Sequence, residues 1–207
     1  MDSTELLQKA HHLTRIGRYD DALLLYDTVL ETDNNNIIAY EEKGKVYYYL
    51  GRHDDALACY DQALRLSPDL TTVWYEKGYT LRKIGRYIEA ITCFDHVIAL
   101  DPEYTLAWAN KGYALNQIGR YKEAIACFDQ ILASSPHNIR AMTAKGIALR
   151  ELGKNEASLV LFDKALEYNS INSFVWEHKA QALQNLGRHE EAQASFERAN
   201  FPSHTGQ

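Results

Sequence analysis

The sequence lacks the features that mark several common classes of protein. It has only three cysteines and four prolines in 207 residues. No apolar run approaches the roughly 18–20 residues that a membrane-spanning helix needs. The N-terminus has no basic region followed by an apolar core, so it does not look like a signal peptide. We therefore expect a cytoplasmic protein without membrane insertion.

An excess of positive charge is also missing. The chain has 22 lysines and arginines against 28 aspartates and glutamates, for a net charge of −6. Nucleic-acid-binding proteins usually carry a basic stripe that follows the phosphate backbone. We therefore expect no nucleic-acid partner. The hydrophobic fraction of 46% is ordinary for a folded chain.

The three cysteines are isolated from one another, because Cys59, Cys93 and Cys127 lie 34 residues apart. None has a partner at the CxxC spacing of zinc or thiol-redox sites. Equivalent residues of stacked helical repeats also lie farther apart than the ~7 Å between Cα atoms that a disulfide tolerates. We interpret all three as small, partly buried apolar residues, and we expect no metal site.

The same interval of 34 residues governs the whole chain. A Gly-Arg or Gly-Lys pair recurs at this spacing, beginning at Gly17, Gly51, Gly85, Gly119, Gly153 and Gly187. These pairs define six units, 3–36, 37–70, 71–104, 105–138, 139–172 and 173–206. All three tryptophans occupy the fourth position of a unit, and ten of the eleven glycines occupy its eighth or fifteenth position. Such a period predicts a repeat protein.

Each unit has the apolar spacing of two short amphipathic helices. In the unit 105–138 the first stripe contains Trp108, Gly112, Leu115 and Ile118, and the second contains Ala124, Phe128, Ile131 and Leu132. We expect Gly112, with Ala124 opposite, to let the two helices approach closely. We expect Gly119 to end the first helix in a left-handed conformation, and Pro136 to follow the end of the second.

These residues make the chain resemble the tetratricopeptide repeat family, over residues 3–206. Trp108, Gly112, Ala124, Phe128 and Pro136 match the family pattern position by position. Two departures recur: lysine replaces the pattern's leucine in all six units, and leucine replaces its tyrosine in five. The resemblance implies an all-α fold, a right-handed superhelical α-solenoid of six helix-turn-helix repeats with about twelve antiparallel helices. We predict one array over 3–206 and a frayed tail at 201–207.

The resemblance also implies where a ligand binds. In this family the first helices of the repeats line a concave groove, and certain of their positions face the ligand. Tyrosine and arginine anchor interfaces because they bury a large area and keep a polar group, and arginine pairs with carboxylates through two hydrogen bonds. Asparagines at these positions suit the amides of an extended peptide. The candidate groove residues are Tyr48, Tyr75, Tyr79, Arg82, Asn110, Tyr113, Asn116, Arg140, Ile147, Arg150 and His178.

Two patterns have alternative interpretations. Either Tyr48 or its neighbour Tyr49 can pack inward instead of facing the groove. The six repeated lysines, such as Lys43, match six repeated acids, such as Asp27. These lysines form ion pairs between neighbouring helices, remain solvated, or line up as a phosphate-binding row. The matching acids argue against the phosphate-binding row because they neutralise it.

No catalytic motif appears in the chain. The eight histidines form no HExxH or other metal-ligating pattern, and nucleophile elbows and Gly-rich phosphate loops are missing as well. We therefore expect no enzyme and no cofactor. The lysine and asparagine clamp with which co-chaperones of the family grip a terminal carboxylate is also missing from the early units, which place Leu7, His11 and Glu42 there.

The function that follows from the resemblance is protein–protein interaction. We expect an adaptor that binds a peptide or helix of a partner protein in its groove. The alternative is a structural scaffold that forms a homo-oligomer through the ends of the array. Residues 189–200 are interpreted as the closing helix, because Gln193 and Asn200 stand where other repeats have leucine or isoleucine.

Overall fold

The computed structural model describes residues 2–200, which form twelve α-helices and no strand. This confirms the all-α class and the six helix-turn-helix repeats. The tail predicted at 201–207 lies outside the described residues. The helices are α1 (Ser3–Arg15), α2 (Tyr19–Thr32), α3 (Ile37–Tyr49), α4 (His53–Leu66), α5 (Thr71–Lys83), α6 (Tyr87–Leu100), α7 (Thr105–Gln117), α8 (Tyr121–Ser134), α9 (Ile139–Glu151), α10 (Asn155–Tyr168), α11 (Ser173–Asn185) and α12 (His189–Asn200).

The turn inside each repeat depends on its glycine. Gly85 has φ +79°, a left-handed conformation that side chains with a Cβ rarely adopt. Its N–H donates to the carbonyl of Arg82 at 3.2 Å, and the next N–H, of Arg86, donates to Leu81 at 2.9 Å. These two bonds satisfy carbonyls that the ending helix leaves open. The predicted left-handed helix end is thus confirmed.

Asparagine starts the odd-numbered helix in three of the repeats. The side chain of Asn36 accepts a hydrogen bond from the N–H of Ala39 at 3.0 Å, and that of Asn138 accepts one from Ala141 at 3.0 Å. Asn172 does the same at the start of α11. An N-cap of this kind satisfies one of the amide groups that a helix leaves unpaired at its beginning.

The two helices of a repeat approach each other at a glycine. A Cβ placed on Gly112 would lie 2.7 Å from the ring of Phe128, and one on Gly146 would lie 2.6 Å from the ring of Phe162. Both rings are fully buried. The sequence also placed Ala124 opposite Gly112, but it is the phenylalanine ring that excludes a side chain there. Close approach at this glycine is therefore confirmed, with the ring as its main cause.

The contacts between residues divide the chain into two compact units. Unit 1 ends at Ala107 and unit 2 begins at Trp108, so the boundary lies within α7. The core of unit 1 contains the fully buried rings of Tyr26, Tyr60 and Phe94, and that of unit 2 contains Phe128 and Phe162. The single array over 3–206 stays a prediction.

The repeated lysines form ion pairs with the repeat that precedes their own. Four such pairs join an odd-numbered helix to the even-numbered helix before it: Lys43 with Asp27, Lys77 with Asp61 (2.5 Å), Lys145 with Asp129 (2.5 Å) and Lys179 with Asp163 (2.6 Å). The acids are about half exposed, so each pair is worth only ~0–1 kcal/mol. Of the three interpretations of this row, the structure supports ion pairing between neighbouring helices.

No helix between residues 2 and 200 is long and apolar enough to cross a membrane. Across the same residues, no three histidine, cysteine, aspartate or glutamate side chains converge as metal ligands would.

Candidate functional site

Unit 2 contains a cavity of about 250 Å³ among its odd-numbered helices. The cavity lies between α7, α9 and α11. Its walls combine aromatic and aliphatic side chains with amides and one charged group. The lining residues are Tyr113, Asn116, Gln117, Ile139, Arg140, Thr143, Ala144, Ile147, Asn172 and Phe174.

The cavity exists because the fifth repeat has small residues at its fifth and sixth positions. These residues are Thr143 and Ala144, both buried. The hydroxyl of Thr143 donates to the carbonyl of Ile139 at 2.8 Å, so it is held against its own helix. The third repeat has Tyr75 and Glu76 at the same two positions. Side chains of that size at 143 and 144 would fill the cavity.

Asn116, which lines the cavity, has one unsatisfied acceptor. Its amide nitrogen donates to the carbonyl of Ala144 at 3.3 Å. Its Oδ1 is buried and has no hydrogen-bond donor among residues 2–200. A buried acceptor without a partner costs about 1–3 kcal/mol. The side chain of Asn116 therefore carries a local energetic cost in the folded protein.

An aromatic side chain forms one edge of the cavity. Phe174, at the second position of α11, is 56% exposed. Its ring meets the ring of His178 edge to face, with centroids 4.4 Å apart. On the α7 side, the ring of Tyr113 packs on the buried ring of Phe128 at 5.6 Å. Exposed aromatic groups fixed by packing of this kind suit an apolar ligand.

Arg150 and His178 form a polar network next to this edge. The side chain of Arg150 is only 11% exposed. It donates to Nδ1 of His178 at 2.9 Å and to the side-chain oxygens of Gln181 and Glu151. Burial lowers the pKa of His178 and the positive charge of Arg150 lowers it further, against the opposing effect of Gln181. A neutral His178 can accept the bond from Arg150, so the network holds the histidine beneath Phe174.

In unit 1 the corresponding surface is occupied by tyrosines. The rings of Tyr48 and Tyr79 have centroids 5.8 Å apart, and Tyr75 follows Tyr79 at 6.1 Å. The guanidinium of Arg82 lies over the ring of Tyr79 at 5.1 Å. Burial and the neighbouring Tyr79 raise the pKa of Tyr48 to about 12. These side chains contact one another and leave the surface filled.

Carboxylates surround one lysine on the same surface of unit 1. Lys45 donates to Glu41 and to Glu42 at 2.8 Å each. Burial lowers the pKa of Lys45, but these two carboxylates outweigh it and raise the pKa above its usual value. Burial raises the pKa of Glu76, and the charges of Glu41 and Glu42 add to this, while Lys45 opposes it. The charges of this surface are therefore matched mainly by one another.

The structure brings part of the predicted groove together. Four of its eleven residues line the cavity: Tyr113, Asn116, Arg140 and Ile147. His178 and Arg150 lie beside it, with Arg150 bonded inside the fold. Asn110 is buried, at 8% exposure. The remaining four, Tyr48, Tyr75, Tyr79 and Arg82, belong to unit 1, where Tyr48 is half-buried and Tyr49 is exposed. That any of them binds a ligand stays a prediction.

Six residues that line the cavity are not among the eleven candidate groove residues, namely Gln117, Ile139, Thr143, Ala144, Asn172 and Phe174. Phe174 occupies the second position of its repeat, which the family pattern marks as ligand-facing, so that signal was available. Ile139 occupies the first position of its repeat, where a residue is expected to begin a helix. Asn172 occupies the last position of the same repeat, where an asparagine is expected to cap the next helix. Only the packing of α9 against α11 turns them into walls of a cavity.

The helix pairs and their glycine turns define an α-helical repeat protein. Comparison with protein families agrees: models described as TPR repeat or tetratricopeptide repeat match residues 5–36, 44–85, 75–139 and 161–194. The chain belongs to the tetratricopeptide repeat family. No curated protein is similar enough in sequence to count as a match.

Several solved structures are similar to this chain in fold. MamA is 25% identical over 83% of this chain and 93% of its own, with a TM-score of 0.77. A tetratricopeptide repeat protein from Parabacteroides merdae is 20% identical over 97% and 80%, with a TM-score of 0.86. YrrB, described as a TPR protein with an unusual peptide-binding site, is 24% identical over 84% and 90%, with a TM-score of 0.77. At these identities the last two demonstrate the fold alone.

Proposed function

We propose that this protein is a non-enzymatic cytoplasmic adaptor that binds a peptide segment of a partner protein on the odd-numbered helices of unit 2. The observation that carries the proposal is the cavity between α7, α9 and α11, where Thr143 and Ala144 leave space that larger residues fill elsewhere. One apolar side chain of the partner enters this space. The rest of the segment runs along the exposed surface around it.

The character of the walls supports this proposal. Tyr113, Ile147 and Phe174 offer apolar area that is already fixed by packing, so little conformational entropy is lost on binding. Gln117, which is exposed, offers an amide group for a peptide backbone. The fold itself is compatible with such a ligand, since YrrB shares it and is described as having a peptide-binding site.

The proposal is tested by selecting ligands from a phage-displayed library of random peptides on the immobilised full chain. A selected peptide is then measured by fluorescence polarisation against the wild type and against Phe174→Ala. Truncating an aromatic contact at the centre of an interface costs more than about 1 kcal/mol, so binding weakens at least about fivefold.

Val160→Ala is the matched control, because Val160 is 55% exposed in the same unit and lies on α10, away from the cavity. The control variant keeps wild-type affinity. Equal affinity of the Phe174 variant and the wild type would contradict the proposed site.

Self-association through the ends of the array is the competing hypothesis from the sequence. Light scattering over a range of protein concentrations tests it directly. A molecular mass that stays at that of one chain while the peptide still binds supports the adaptor. A mass that rises with concentration supports the scaffold.

A further inference from the structure

We infer that unit 2 binds its peptide best while His178 is neutral, because the contact between Arg150 and the uncharged imidazole holds the ring of Phe174 at the edge of the cavity. Uptake of a proton by His178 at mildly acidic pH therefore weakens binding. This inference rests on the proposed function and adds a form of regulation to it. His178 does not itself line the cavity, so it acts as a positioning residue for Phe174.

The exposed ring of Phe174 packs on the imidazole of His178. The two residues are four positions apart on α11, and side chains at this spacing are neighbours on a helix. Their rings meet edge to face, with centroids 4.4 Å apart. The same imidazole stacks on the fully buried ring of Phe162 on α10, at 6.3 Å. The imidazole therefore joins the exposed wall of the cavity to the core of unit 2, and a shift of the imidazole moves Phe174.

Arg150 of α9 fixes the imidazole in its uncharged form. Nη1 of Arg150 lies 2.9 Å from Nδ1 of His178, and a guanidinium can only donate a hydrogen bond. The ring nitrogen accepts this bond only in the neutral imidazole, because both nitrogens of the charged form carry hydrogen. Arg150 is itself held in place by Gln181 and Glu151. Protonation of His178 thus breaks the bond to Arg150 and places two positive charges side by side.

The charged groups that act on the imidazole come from two helices. α9 contributes the positive charge of Arg150 and the negative charge of Glu151, and α11 itself contributes Glu177. α10 faces the imidazole with an uncharged phenylalanine. α12 also packs against α11, where its Arg198 lies over Trp176. The positive charge in contact with the imidazole is therefore that of Arg150, and it opposes protonation.

Burial lowers the pKa of His178 in the folded protein, and the charge of Arg150 lowers it further. Gln181 and the carboxylates of Glu177 and Glu151 oppose these effects. The imidazole is therefore uncharged at neutral pH and takes up a proton only below about pH 6.5. The affinity for the peptide is accordingly full above that pH and falls as the pH drops through the folded pKa.

The walls of the cavity allow this effect to be isolated. Histidine is the side chain whose ordinary pKa lies between about pH 5 and pH 8. The residues that line the cavity include no histidine and no carboxylate. A loss of affinity between about pH 7.5 and pH 5 therefore reports on a group beside the cavity and not on its walls.

The first test measures affinity as a function of pH by isothermal titration calorimetry. The ligand is a peptide from the selection described above that has no histidine, aspartate or glutamate, with both ends blocked so that it does not titrate. Between about pH 7.5 and about pH 5, its affinity for the wild type should fall about threefold or more. The affinity of His178→Gln, which cannot take up the proton, should stay constant over the same range.

His189→Gln is the matched control, because it removes an exposed histidine of the same unit at the start of α12. This variant should lose affinity with falling pH as the wild type does. A wild-type affinity that does not change with pH would overturn the inference, and so would an equal loss in His178→Gln.

The second test asks whether His178 acts through the ring above it. Phe174→Ala binds the peptide more weakly at neutral pH, and the affinity that remains should change less than about twofold with pH. If this variant keeps the full pH dependence of the wild type, His178 does not act by positioning Phe174, and the inference is wrong.

The third test follows the proton directly. The imidazole signals of His178, assigned by their loss in His178→Gln, are titrated by NMR in the free and the peptide-bound protein. Because coupling between two binding events is reciprocal, the bound peptide should lower the pKa of His178. Each unit of that shift corresponds to a tenfold loss of affinity at low pH. Identical pKa values in the free and bound proteins would refute the coupling.

These outcomes separate the inference from the proposed function. A peptide that binds at neutral pH, weakens with Phe174→Ala and shows no pH dependence contradicts the inference alone. A library from which no sequence is enriched contradicts the proposed function, and the inference with it. Circular dichroism of each protein at the lowest pH shows whether the helices are retained, so that a loss of binding is not mistaken for unfolding.

Discussion

Unit 1 and unit 2 are built from the same repeat, yet they present different surfaces on their odd-numbered helices. In the third repeat, in unit 1, the fifth and sixth positions hold Tyr75 and Glu76. In the fifth repeat, in unit 2, the same positions hold Thr143 and Ala144. The first pair fills the surface with an aromatic ring and a carboxylate. The second leaves a cavity.

The two surfaces also differ in how their charges are matched. In unit 1, Lys45 is bonded to both Glu41 and Glu42. In unit 2, Arg140 stands at the rim of the cavity without an acidic partner among the described residues. A charge already paired inside the fold gives little to a ligand, since its pair must be broken first. The comparison indicates that unit 2 is the better candidate for binding.

Filling the cavity should have the largest effect on binding. The double substitution Thr143→Tyr/Ala144→Glu gives the fifth repeat the side chains of the third, and it occupies the space that the ligand needs. Affinity for a selected peptide should fall by more than about tenfold, measured by fluorescence polarisation. Thr143→Ser/Ala144→Ser keeps both residues small and should still bind. Undiminished binding by the filled variant would remove the distinction between the two units.

Breaking the close approach of the helices should affect both units alike. Gly44→Leu in unit 1 and Gly146→Leu in unit 2 each place a side chain where a Cβ alone would lie 2.5 or 2.6 Å from an aromatic ring. Each should lower the free energy of unfolding by at least about 1–3 kcal/mol, measured by urea denaturation followed by circular dichroism. A large loss in one unit and none in the other would show that the units do not share this packing.

Removing one of the repeated lysines that form ion pairs between helices should have a small effect on the free energy of unfolding in either unit. Lys77→Met and Lys145→Met keep most of the aliphatic chain but delete the charge opposite Asp61 and Asp129. We expect each to change the free energy of unfolding by no more than about 1 kcal/mol, with the change reduced at high salt. A loss of several kcal/mol would mean that these pairs hold the repeats together.

The smallest expected effect is a pH dependence confined to unit 2. The pKa of His178 is lowered in the folded protein, first by burial and then by Arg150. As the pH falls below about 6.5, the unfolded chain therefore takes up the proton first. The stability that this neutral histidine contributes is present above that pH and is lost as the pH falls through the folded pKa.

The measurement for this last case is the urea midpoint at about pH 7.5 and about pH 5. His178→Gln should show a smaller difference between the two pH values than the wild type. His12→Gln, which removes an exposed histidine of α1, should behave as the wild type does. An unchanged difference in the His178 variant would contradict the role given to burial and Arg150.

Residues of the sequence by themselves determined the repeat and its local structure. The 34-residue period, the glycine at each turn and the glycine at which the two helices of a repeat approach were predicted from the sequence, because backbone geometry and helical periodicity act over a few residues. Tyr113, Asn116, Arg140 and Ile147 were also found from the sequence, because the family pattern marks their positions as exposed on the first helices.

Only the tertiary structure decided which of these residues act together. It paired four of the repeated lysines with acids of the preceding repeat, and it bonded Arg150 to His178 and Gln181 inside the fold. It also made Phe174 a wall of the cavity and left the Oδ1 atom of Asn116 without a donor. These outcomes depend on contacts between residues 16 to 31 positions apart in the chain. The space left by small side chains and the reach of long ones at such contacts are set by three-dimensional packing.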